Sequence, residues 1–111
     1  MRLSLENGTV VENPTNKQIA SGLRSLYWAT ENTFAILERD PLTYIQARHW
    51  DGPEVDEPYF ILEHQDGSLA NHWNAIDGPI RLKRVIRAFQ QFARQDNSWR
   101  GEFKWEQLHL S

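Results

Sequence analysis

Glu63 and His72 are the pair with the most chemical content in this chain, because a carboxylate beside an imidazole is the combination general acid–base catalysis uses. If their strands meet in a hairpin at Asp66-Gly67, the two are diagonal neighbours on one sheet face, with Arg48 and Tyr59 nearby. The commoner outcome of such a pairing is a cross-strand hydrogen bond on a solvated face. The four histidines, His49, His64, His72 and His109, contain no i, i+4 pair, and His64 and His72 fall on opposite faces, which disfavours a histidine metal site. The absence of cysteine removes disulfides, thiolate zinc sites, iron–sulfur clusters and a cysteine nucleophile. No nucleophile elbow, Walker loop, dinucleotide-binding glycine pattern or zinc-protease motif is present. The residues thus point away from catalysis and imply no cofactor.

Charge is distributed unevenly. Residues 31 to 66 carry nine acids against two bases, whereas residues 67 to 111 carry seven bases against four acids, within a net charge of −3. The densest acidic stretch holds Asp51, Glu54, Asp56 and Glu57 with no base among them, flanked by Trp50, Pro53 and Pro58. Such a loop attracts cationic partners at long range, and a neighbouring Trp supplies the desolvated anchor that charges alone lack. Trp50 and Trp28 are the candidate exposed anchors, while Trp73, Trp99 and Trp105 fall beside core positions and read as packing. Arg84, Arg87, Gln91 and Arg94 form a helical stripe able to meet phosphate. With no aromatic interleaved and a negative net charge, a solvated face is the better reading, and nucleic acid is disfavoured as a partner.

These residues need elements to hold them. At 111 residues, with 40% hydrophobic residues, the chain suits one folded domain spanning 1–111. Asn7-Gly8 between β-rich runs signals a hairpin. Thr15-Asn16-Lys17-Gln18 fits a capping box, and Ile19, Leu23, Leu26 and Tyr27 form a helical stripe, with Gly22 beside it marking a close approach. From Thr33 the period is two and a meander is expected. A turn at Asp40-Pro41 puts Phe34, Ile36, Ile45 and Ala47 on one face and Leu37, Tyr44, Gln46 and Arg48 on the other. In the next hairpin, Phe60, Leu62, Leu69 and Trp73 share a side opposite Tyr59, Ile61, Glu63, Ala70, His72 and Asn74. A second helix, with Pro79 near its first turn, buries Leu82, Val85, Ile86, Phe89, Phe92 and Ala93. Phe103-Lys104-Trp105-Glu106, running on through Leu108 and Leu110, reads as a last strand or a segment packed against the sheet. The fold class is α+β: an antiparallel sheet, hairpin plus meander, with two helices packed on one face.

The string Asn7-Gly8-Thr9-Val10-Val11-Glu12-Asn13-Pro14-Thr15, the strand-turn Phe60-x-Leu62-Glu63-x-Gln65-Asp66-Gly67-Ser68 and the ending Val85-Ile86-x-Ala88-Phe89 followed by Trp99 and Phe103-x-Trp105-Glu106 resemble small bacterial immunity proteins of polymorphic toxin systems. That resemblance implies a non-enzymatic α+β protein that binds and blocks a cognate toxin, and it transfers no site residues. The leading expectation is therefore a protein-binding module using Trp50, Asp51, Glu54, Asp56 and Glu57 against a cognate protein such as a basic toxin domain. The alternative is a small ligand-binding or enzymatic domain using Arg48, Tyr59, Glu63 and His72 on the outer sheet face. The Met1-Arg2-Leu3-Ser4-Leu5-Glu6 start carries no long apolar run, so a soluble cytoplasmic protein without membrane contact is expected.

Overall fold

The computed structural model describes residues 1–26, 33–50 and 59–108. Tyr27, Trp28, the acidic stretch 51–58, His109 and Leu110 lie outside the described residues.

Strands β1 (Arg2–Leu5) and β2 (Val10–Glu12) form the hairpin that Asn7-Gly8 predicts. Gly8 takes φ +92°, a conformation that side chains with a Cβ disfavour, and Asn7 Oδ1 accepts from the Thr9 N–H at 2.9 Å. Helix α1 (Asn16–Arg24) starts at a reciprocal cap: the Gln18 N–H donates to Thr15 Oγ1 at 3.1 Å and the Thr15 N–H to Gln18 Oε1 at 2.9 Å. It ends earlier than the apolar stripe suggests, but Leu26 beyond it is fully buried with Ile19 and Leu23. Gly22 is where α1 meets β1, since a Cβ there would lie 3.0 Å from Leu3 Cδ2.

The meander consists of β3 (Phe34–Asp40), β4 (Thr43–His49), β5 (Tyr59–Asp66) and β6 (His72–Ala75). Two-residue β7 (Ile80–Arg81) pairs with the start of β5, and β8 (Trp105–Leu108) pairs with β6. The order is β2-β1-β3-β4-β5-β6-β8, antiparallel at every pairing. One row of facing residues runs Val11, Leu3, Leu37, Ile45, His64, Trp73, Gln107 on the helix side. The adjacent row on the other side runs Ser4, Ile36, Gln46, Glu63, Asn74, Glu106.

This register corrects the expectation for β3. Asp40 pairs with Thr43 but Glu38 pairs with Tyr44, leaving Arg39 as an extra residue in the ladder. One residue of slip exchanges the faces. Ala35 and Leu37 are therefore fully buried with Ile45 and Ala47, while Phe34 and Ile36 turn to the outer face and are only partly buried. Phe60, Leu62 and Trp73 share the core side as expected, but Leu69 does not. Leu69–Asn71 form a 3-10 turn instead of strand, closed by Asn71 N–H to Ser68 O at 3.1 Å, so Leu69 is exposed and Ala70 belongs to no strand face.

Helix α2 (Leu82–Ala93) buries Val85, Ala88, Phe89 and Phe92, with Leu82, Ile86 and Ala93 packed at the margin. Pro79 is not in its first turn, because Ile80 is taken into β7 opposite Phe60 and is itself buried. A 3-10 segment, Asn97–Glu102, follows, capped by Asp96 Oδ1 accepting from the Ser98 N–H at 3.0 Å, and it buries Trp99. Both helices face the same side of the sheet and join one core.

Burial sets the mutational ranking. Phe89→Ala should cost about 3–5 kcal/mol and Leu37→Ala about 2–5 kcal/mol by urea unfolding, whereas Ile36→Ala should cost clearly less than Leu37→Ala. An inverted order for Leu37 and Ile36 would mean that β3 presents the other face.

Candidate functional site

On the outer face, β5 and β6 pair Gln65 with His72 and Glu63 with Asn74, which brings Glu63 and His72 together as the hairpin predicts. His72 Nε2 lies 3.2 Å from Glu63 Oε2, and Nδ1 lies 3.0 Å from Gln65 Oε1. Gln65 is oriented by its own amide, which donates to Leu42 O at 3.2 Å, and Tyr44 Oη donates to Gln65 Oε1 at 3.4 Å. Burial, then the Glu63 charge, raise the Tyr44 hydroxyl above its ordinary pKa, so it stays a neutral donor. The imidazole and the amide are buried, His72 at 4% exposed and Gln65 at 2%, while the Glu63 carboxylate stays partly exposed. Arg48 faces Ile61, one pair along from Glu63, and Tyr59 stands two residues further, packed on Trp50. Arg48 and Tyr59 thus extend the same face along β4 and β5 from the Glu63–His72 pair. With both nitrogens of a buried ring directed at groups of the chain, the arrangement suits a specific hydrogen-bonded sheet contact better than proton exchange with a substrate.

Of the proposed partner-binding residues, Trp50 alone is described. Its N–H donates to Tyr59 O at 2.9 Å, and its ring meets Tyr59 edge-on at 5.9 Å. Asp51, Glu54, Asp56 and Glu57 follow it outside the described residues.

The basic stripe on α2 is tied up within the chain. Arg84 donates to Glu102 O at 2.8 Å and lies over the Phe103 ring, Arg87 pairs with Glu102 at 3.3 Å, and Arg94 with Asp96 at 3.4 Å. Gln91, expected on that stripe, is instead buried, since it sits one turn from Ala88 on the inner face. Among the described residues no group of three or more His, Asp or Glu is placed to hold a metal ion, and no helix is long and apolar enough to cross a membrane.

A different cluster surrounds His64. Period two after Phe60 and Leu62 places this histidine on the core face, where three indoles box it in: Trp73 near-parallel at 6.3 Å, Trp99 edge-on at 4.8 Å and Trp105 edge-on at 4.6 Å. Burial first, and then the Arg100 guanidinium, push the His64 pKa down to about 4, against a smaller opposing pull from Asp66. The imidazole is therefore neutral at pH 7. Beside it opens a cleft of about 330 Å³ lined by His64, Asp66, Asn71, Trp73, Arg100 and Trp105. A second recess of about 320 Å³, bordered by Arg39, Thr43 and Gln95, shares His64, Asp66 and Arg100 with it. The signal in the sequence was a histidine at a core-face position opposite a tryptophan. The contribution of Trp99 and Trp105 comes from the 3-10 segment and β8, which no local pattern links to β5.

No family model, no curated protein and no solved structure matches this chain.

His64 predicts an acid response. Its folded pKa of about 4 lies below the ordinary 6.5, so between those values the unfolded chain takes up a proton that the folded chain refuses. Stability should fall as pH drops through this window, by up to roughly 3 kcal/mol from this group. His64→Leu should flatten the fall of Tm between pH 6.5 and 4 relative to the parent; parallel curves would show that His64 ionises freely when folded.

Proposed function

We propose that this protein is a binding module that captures and neutralises a bacterial toxin domain, using Trp50 and the acidic residues Asp51, Glu54, Asp56 and Glu57. The observation that carries the reading is the fixed root of that segment. The Trp50–Tyr59 backbone bond and ring contact tie together the two ends of the stretch 51–58, so part of the entropy of presenting it is spent on folding. The half-buried indole stands at the start of a stretch whose sequence carries four acids and no base, which suits a basic partner such as a phosphate-holding nuclease. The resemblance to immunity proteins supports the same reading. So does the bonding of both His72 ring nitrogens within the chain, which favours recognition over catalysis at the outer face.

The test uses a partner recovered with the tagged protein from its source cells. Reversing Asp56 and Glu57 to Lys together should slow association about tenfold or more at low salt and weaken its salt dependence, with Tm unchanged. Trp50→Ala should mainly speed dissociation, by roughly 30-fold if the indole is worth about 2 kcal/mol. Association and dissociation indifferent to both variants would remove this surface from the contact.

A further inference from the structure

The cleft beside His64 lies at the Asp66 end of β5, seven residues from Tyr59 and so roughly 23 Å along the strand from the Trp50 surface. It stands whether or not that surface binds a toxin. Its volume is in the range of small-molecule sites. His64 lines it while only 5% exposed, and among the described residues neither ring nitrogen has a hydrogen-bond partner. Neither nitrogen is among the sealed polar atoms of the core, so both stay open, through the cleft, to a ligand's hydrogen-bonding groups.

The lining selects the ligand. Asp66 and Arg100 pair at 3.4 Å and offset each other, and the imidazole beside them carries no charge, so the cleft favours a neutral molecule. His64 can donate and accept, and the Asn71 carboxamide, whose Nδ2 already donates to Asp66 O at 3.2 Å, keeps its oxygen and a second N–H, which matches hydroxyl groups. Because Trp73 lies near-parallel to the His64 ring and Trp105 near-perpendicular to it, the two indoles cross steeply and form a corner. A flat heterocycle would need parallel walls to be sandwiched. A puckered ring fits the corner, with its C–H face against one indole, whose π-face is negative, and its hydroxyls toward the polar side chains. The walls are preset: Trp105 Nε1 donates to Arg100 O at 2.8 Å, and the Arg100 guanidinium rests over Trp99. We propose that this cleft is a binding site for a neutral saccharide, one sugar ring seated in the Trp73–Trp105 corner and its hydroxyls bonded to His64, Asn71 and Asp66.

The experiment is a ¹H–¹⁵N titration of the full chain, following the assigned indole N–H signals. The probes are glucose, galactose, mannose, N-acetylglucosamine, cellobiose, lactose and chitobiose, each to about 50 mM, where millimolar affinities register. Adenine and trimethyl-lysine serve as flat and cationic competitors. At least one sugar should shift Trp73 and Trp105 saturably and leave Trp50 unmoved, and Asn71→Ala, which removes one exposed hydrogen bond to Asp66 O, should weaken it tenfold or more while the chain stays folded at the temperature of the titration. His64→Gln, which keeps a donor and an acceptor, should retain more affinity than His64→Leu. Saturable shifts from no sugar, shifts from adenine or trimethyl-lysine alone, or sugar binding unaltered by Asn71→Ala and His64→Leu would each overturn the proposal.

Discussion

Arg39, the unpaired residue between Glu38 and Asp40, sets the face of every side chain in β3, and the rest of the architecture depends on it. Its presence lets Leu37 oppose Ile45 and Ala35 oppose Ala47, so the helix side of the sheet is a continuous apolar surface from Leu3 to Ile45. Without it, Phe34 and Ile36 would compete for the same space, and the small Ala35–Ala47 pair could not give room to the helices. The extra residue is also accommodated locally: the Arg39 guanidinium lies over the Phe92 ring of α2, 5.8 Å from its centre. A long amphipathic side chain at this point covers apolar surface while its charge stays in water.

Once that register holds, the two histidines of the central sheet take opposite environments. His64 continues the core row and is desolvated among indoles, whereas His72 joins Glu63, Gln65 and Tyr44 on the other side. The same strand pair therefore holds a polar network with its bonds made and an imidazole with its bonds unmade. The two differ in what surrounds them: one ring is bonded into the sheet's outer face, the other borders a cleft. The ends of β5 are equally unlike: an aromatic pair at the root of an acidic stretch at one end, a neutral aromatic corner at the other.

Local interactions were legible in the sequence. The Asn7-Gly8 turn, the Thr15–Gln18 cap, the stripes Ile19-Leu23-Leu26 and Val85-Phe89-Phe92, and the meander order each follow from neighbours a few residues apart. The Glu63–His72 contact was legible too, because a single hairpin brings it about. What the sequence concealed depends on contacts between distant segments. A bulge of one residue leaves no compositional mark at Arg39, and Ile80 enters β7 only because Phe60 awaits it. The box around His64 needs Trp99 and Trp105, which lie 35 and 41 residues further along the chain. Tryptophans assigned to packing do pack, and in doing so they also wall a cleft.

The pairing of β3 with β4 is read most directly from cross-strand nuclear Overhauser contacts in the labelled chain. Leu37 should show its backbone contacts to Ile45, Ala35 to Ala47 and Ile36 to Gln46, as an extra residue at Arg39 requires. Contacts from Ile36 to Ile45 and from Phe34 to Ala47 would contradict it, turning Phe34 and Ile36 toward the helices and moving Leu37 to the outer face.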